Sequence, residues 1–134
     1  MDGNEPTAEQ RAWSLDQLKW AVQALALDAE QQVRLYPHFV CIGDELALDF
    51  DDGCRVACAQ HAFTAEQLAA LAALDEWLAT MTAENDATLW RTGEVLATHP
   101  HWQEARRRAR AALRAFGWPL DVPPGDRATY VGPP

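Results

Sequence analysis

The sequence predicts an α+β fold: two N-terminal helices, a three-stranded antiparallel β-meander, two main C-terminal helices and an extended Pro-rich tail. Three observations lead there. Capping signals precede apolar residues at helical spacing near both ends of the chain. Between them, residues 39–58 place an apolar side chain at every second position across three runs. After Trp118 the composition shifts, with five of the eight prolines between Pro119 and Pro134.

The first helix is expected over 15–27. Ser14-Leu15-Asp16-Gln17 reads as a capping box, flanked by Trp13 and Leu18 as a hydrophobic staple. Leu15, Leu18, Val22 and Leu25 share one stripe, and Trp20 falls well off it. Asp28-Ala29-Glu30-Gln31 is a weaker copy of the box and opens a short helix over 29–35. Pro37 stops it near Tyr36, because the residue before a proline avoids helical geometry.

The alternation follows: Phe39 and Cys41, then Leu46, Leu48 and Phe50, then Cys54, Val56 and Cys58. Gly43-Asp44 suits a two-residue hairpin loop, and Asp51-Asp52-Gly53 a three-residue loop ending on a left-handed glycine. That register puts Cys41 opposite Leu46 and Phe39 opposite Leu48 on one face, with Asp49 opposite Arg55 on the other. Thr64-Ala65-Glu66-Gln67 then caps a helix over 65–83, with Phe63 and Leu68 as its staple and Leu71, Leu74, Trp77, Leu78 and Met81 on its buried side. Asp86 caps a short turn through Trp90, and another short helix follows Thr92-Gly93. Pro100 opens the last helix and Gly117-Trp118-Pro119 ends it, with Trp102, Ala105, Ala109, Ala112, Leu113 and Phe116 facing inward.

A chain of 134 residues that is 49% hydrophobic supports one core, so residues 1–134 are expected to form a single domain. Residues 1–12 are expected to be flexible, and 119–134 to lie extended over the body through Leu120, Val122, Tyr130 and Val131. No apolar run approaches the roughly 20 residues of a membrane span. The start Met1-Asp2-Gly3-Asn4-Glu5 lacks the pattern of a secretory signal, and three cysteines exclude a complete disulfide framework. A bacterial, cytoplasmic protein is expected. Ten of the eleven basic residues are Arg, with Lys19 the one Lys, against 20 acids and a net charge of −9.

Two constellations invite a metal. His38, Cys41, Cys54, Cys58 and His61 bring five zinc-type ligands into 24 residues. On the meander, however, Cys54 and Cys58 stand roughly 13 Å apart along one strand, too far to share an ion. His99, His101 and Glu104 offer the second, but a Glu in a first helical turn is explained by the helix dipole. No cofactor or metal is expected. Ser14, the one serine, is assigned to capping, and phosphate-cradling, nucleophile-elbow and metalloprotease motifs are absent from the sequence.

Charge is the remaining signal. Asp44, Glu45, Asp49, Asp51 and Asp52 place five acids in nine residues, while Arg106, Arg107, Arg108, Arg110 and Arg114 gather on the last helix. The overall charge disfavours nucleic acid, so the arginines are expected to pair within the fold or to balance a helix C-terminus. The acids, with Trp20 as an interface anchor, point to a basic protein partner. The expected function is non-enzymatic protein binding by an acidic inhibitor. Bacterial immunity proteins that neutralise nuclease toxins offer an analogy in charge and size, carried by no residue motif. The alternatives are a small metal-dependent or acid–base enzyme using His99, His101 and Glu104, and a homo-oligomeric adaptor.

Overall fold

The computed structural model describes residues 5–125, and in these every regular element is helical. Six α-helices follow in order: α1 (Ala8–Ala26), α2 (Ala29–Arg34), α3 (Ile42–Gln60), α4 (Ala65–Ala83), α5 (Gly93–Thr98) and α6 (Pro100–Phe116). A 3-10 turn at Ala87–Trp90 precedes α5. The expected α+β class is therefore corrected to all-helical. The meander is replaced by α3, and no strand occurs among the described residues.

The physical reason lies in two glycines. Leu46, Phe50, Gly53 and Ala57 recur at spacings of four, three and four, which is a helical stripe once Gly53 counts as a core residue; all four are buried. A Cβ on Gly53 would lie 3.3 Å from the Leu18 backbone N and Cα, so this glycine marks where α3 crosses α1. A Cβ on Gly43 would lie 2.8 Å from Trp102 Cζ2 and 3.0 Å from the Trp90 backbone. Both glycines serve close packing rather than the hairpin loops expected of them. The alternation is a by-product: Leu48 and Phe39, expected on its inner face, are 54% and 44% exposed.

Gly43→Ala is accordingly expected to destabilise the protein by about 1–3 kcal/mol, because overpacking against a pinned indole outweighs the ~1 kcal/mol gain in helix propensity. Urea unfolding of the variant checks this, and a rise in midpoint would contradict it.

The N-terminus is a second correction. α1 begins at Ala8 rather than at residue 15, behind a capping box in which Thr7 Oγ1 accepts from Gln10 N and Gln10 Oε1 accepts from Thr7 N. Ser14 is thus interior to the helix and buried. Its hydroxyl lies 2.6 Å from Gln60 Oε1 and 3.0 Å from Arg11 O. Asp28, expected to cap α2, makes no capping bond and instead receives Arg110 Nη2 at 3.1 Å. Other boundaries agree with expectation. Thr64 and Gln67 form their capping box, Asp86 Oδ1 accepts from Thr88 N, and Thr92 Oγ1 accepts from Val95 N. Pro100 opens α6, and Gly117 ends it in the left-handed region at φ 69°.

α1 packs on α3 along one side and α6 along another, α4 covers a further side of α6, and α2 rests on α5. Leu18, Val22 and Leu25 of α1 meet Leu46 and Phe50 of α3 and the small Ala105, Ala109 and Ala112 of α6 in one core, which Leu71, Leu74, Leu78 and Met81 of α4 complete. Beyond α6, Pro119 O accepts from the buried Gln23 Nε2 at 3.0 Å. Leu120 and Val122 are about half exposed and do not hold the tail down; Pro123 is buried instead. Tyr130 and Val131 lie outside the described residues. No helix among these is long and apolar enough to cross a membrane.

A candidate binding cleft between α1 and α3

The early start of α1 sets three residues on one face: Trp13, Gln17 and Trp20, at spacings of four and three. On α3, Asp49, Asp52 and Val56 share a flank by the same rule. Gly53 brings the two helices together, and above the crossing these six residues line a cleft of about 210 Å³. Trp13 is 59% exposed at the rim, and Trp20 is half-buried. Tyr36, itself buried, donates its hydroxyl to Asp49 Oδ2 at 2.7 Å and so fixes that carboxylate. Asp52 holds Arg55 at 2.8 Å in an exposed i,i+3 pair. The expected cross-strand pair of Asp49 with Arg55 is corrected to these two contacts.

Of the acids singled out from the sequence, Asp49 and Asp52 join Trp20 in this cleft. Asp44 and Glu45 lie in the first turn of α3, where negative charge complements the helix dipole, and they border a neighbouring depression with Trp90. Asp51 lies on the side of α3 that looks toward Asp75 and Leu78 of α4. Burial, then the charges of Asp49 and Asp44, raise the Glu45 carboxyl above its ordinary value. Packed carboxylates of this kind repel one another, and an incoming cation relieves that repulsion. Trp13 is a site residue that the expected helix start at residue 15 leaves outside the helix, whereas Gln17 already shares a face with Trp20 in that expected helix. The signal that finds Trp13 is the Thr7/Gln10 capping box, which extends α1 beneath it.

The metal readings take a different form in the structure. Cys54 and Cys58 are one helical turn apart with their sulfurs 3.8 Å from each other, which corrects the strand separation of roughly 13 Å. Burial, then Cys58, push the Cys54 thiol up to about 12. Cys41 precedes α3 at its opposite end, about 25 Å of helix away from Cys58. Among the described residues no three His, Cys, Asp or Glu side chains come together as a metal site. His61 Nε2 lies 2.9 Å from Arg11 O and 3.4 Å from Ser14 Oγ. A carbonyl only accepts, so Nε2 carries the proton in that bond and is not a base for the serine.

His99, His101 and Glu104 also separate. His99 Nδ1 accepts from His101 N at 3.0 Å, and His101 Nε2 faces Glu84 Oε1 at 2.8 Å. Glu104 is held by Arg107 and Arg108, whose hydrogen bonds bring its carboxyl down to about 2. A depressed carboxylate stabilises the fold fully above its usual 4.5 and loses that contribution as pH falls toward 2. Glu104→Gln is therefore expected to lower stability by a constant amount above pH ~5, with the gap to wild type closing on acidification. Thermal melts across that range check it, and a gap that widens in acid would contradict it.

Arg106, Arg107, Arg108 and Arg110 of α6 pair within the fold, and the helix end that Arg106 and Arg110 serve belongs to α1. Arg106 Nε donates to Leu27 O at 2.6 Å and Arg110 Nε to Ala26 O at 2.8 Å. Arg108 Nε reaches Glu104 at 2.7 Å while its guanidinium lies 5.1 Å from the centroid of the Trp77 ring.

With this geometry in hand, comparison finds no match to any protein-family model, curated protein or solved structure.

Proposed function

We propose that this chain is a non-enzymatic protein-binding module, an acidic inhibitor of the immunity type, that engages a basic protein across the face formed by α1 and α3. The observation that carries this reading is the placement of Asp49 and Asp52 opposite Trp13 and Trp20 in one cleft. Exposed tryptophans with a polar rim are the usual energetic centre of an interface, and clustered charge raises the association rate for an oppositely charged partner. Glu45 and Asp44 continue the negative field toward the start of α3. None of the α6 arginines lines this cleft; Arg106, Arg107, Arg110 and Arg114 border a separate depression.

The test is quantitative capture from lysate on immobilised protein. Wild type is expected to retain a basic protein that ~1 M salt releases, where the screening length falls to ~3 Å. The double substitution Asp49→Lys and Asp52→Lys is expected to lose it, and Asp51→Lys, on another side of α3, to keep it. An identical retained set for wild type and the double variant would overturn the reading.

A further inference from the structure

We propose that the cleft between α1 and α3 is a receptor for the guanidinium group of a single arginine side chain presented by the partner. This rests on the preceding reading for the partner's existence and adds which of its chemical groups is recognised.

Size makes the first argument. At about 210 Å³ the cleft is smaller than the ~300–1,000 Å³ typical of metabolite sites, which suits one side chain entering from a protein surface. Chemistry makes the second. Two indoles border a space that two carboxylates also reach. Guanidinium is the cation that uses both: its face stacks on an aromatic ring while its edge forks onto a carboxylate. A lysine ammonium is more strongly hydrated and has no planar face to stack.

The molecule already contains the same recognition in miniature. Arg108 lies over the Trp77 ring at 5.1 Å and bonds Glu104 at 2.7 Å, an aromatic and a carboxylate sharing one guanidinium. In the cleft, Trp13 and Trp20 stand for Trp77, and Asp49 and Asp52 for Glu104. Preorganisation is also present. The Tyr36 hydroxyl holds Asp49 at 2.7 Å, so little side-chain entropy remains to be lost there on binding. Asp52 is engaged by Arg55 in an exposed pair, and such pairs are worth little, so an incoming guanidinium exchanges for it readily.

The experiment uses the full chain and short blocked peptides that differ at one residue: arginine, its neutral isostere citrulline, or lysine. The six tryptophan indole N–H signals are followed by ¹H–¹⁵N NMR. The arginine peptide is expected to shift the Trp13 and Trp20 signals, with the citrulline peptide at least about tenfold weaker through loss of a charge-assisted hydrogen bond, and the lysine peptide about tenfold weaker through loss of the planar fork and stacking face. Asp49→Asn together with Asp52→Asn is expected to abolish the shifts, and Asp51→Asn to leave them. Equal response to citrulline, shifts centred on other indoles, or no response to the arginine peptide would overturn the proposal. Its failure is distinguishable from failure of the broader reading. Charge-sensitive capture without a peptide response overturns the arginine receptor and leaves a basic partner that docks by other groups. A peptide response without charge-sensitive capture supports the receptor and removes the wider acidic face.

Discussion

Trp102→Ala is expected to remove about 3–5 kcal/mol of stability, the range for deleting a fully buried large aromatic. The indole is 1% exposed and joins three elements. From α6 its Nε1 donates to Leu89 O in the 3-10 turn at 2.7 Å. Its ring meets Trp90 edge-to-face at 5.4 Å, and its far edge fills the space a side chain at Gly43 of α3 would need. Truncation leaves a cavity and an orphaned carbonyl together. Against a total of ~5–15 kcal/mol this brings the protein close to unfolding. Trp102→Phe separates the two costs, keeping most of the volume while leaving Leu89 O unpaired for about 1–3 kcal/mol. Urea midpoints measure both, and a loss under ~1 kcal/mol for the alanine variant would contradict this placement of the indole.

The second large effect is expected at Arg106. Its guanidinium donates to Leu27 O at 2.6 Å, to Gln32 Oε1 at 3.1 Å and to Leu96 O at 3.2 Å, joining the end of α1, the middle of α2 and α5. Gln32 is fully buried and in turn donates to Ala24 O and Leu25 O. Those carbonyls belong to the last turn of α1, where no in-helix donor remains and the helix dipole favours a cation. Burial lowers the Arg106 pKa, yet a guanidinium stays charged there. Arg106→Ala is expected to cost about 3 kcal/mol or more, since it strips a charged donor from acceptors on three buried residues. Arg106→Lys is expected to recover only part, because an ammonium cannot span three diverging acceptors. Full recovery by lysine, read from unfolding midpoints, would show that charge alone matters.

How far the sequence carries can be traced residue by residue. The limits of α4 and α6 are legible in it, because capping box, proline start and glycine stop each act on local backbone chemistry. The same Thr-x-x-Gln signal stands at Thr7, and it outweighs the box at Ser14; the placement of Trp13 follows from it. α3 departs from expectation for a different reason. Its alternation is real in the sequence, but Gly43 and Gly53 answer to Trp102 and Leu18, which are remote in the chain and bring no local signal. A glycine chosen for close approach reads like a glycine chosen for a turn. The change of element moves the acids from the hairpin turns and the outer face of the middle strand onto different sides of one helix, and only Asp49 and Asp52 among them line the cleft with Trp20.

That residues 42–60 form one helix laid against α1 is tested most directly by a single nuclear Overhauser measurement on labelled protein. The Gly53 α-protons are expected to show a cross-peak to the Leu18 α-proton, because a Cβ on Gly53 would stand 3.3 Å from Leu18 Cα. Cross-strand peaks from the Leu46–Phe50 run to the Cys54–Cys58 run, with no Leu18–Gly53 contact, would contradict it and dissolve the cleft.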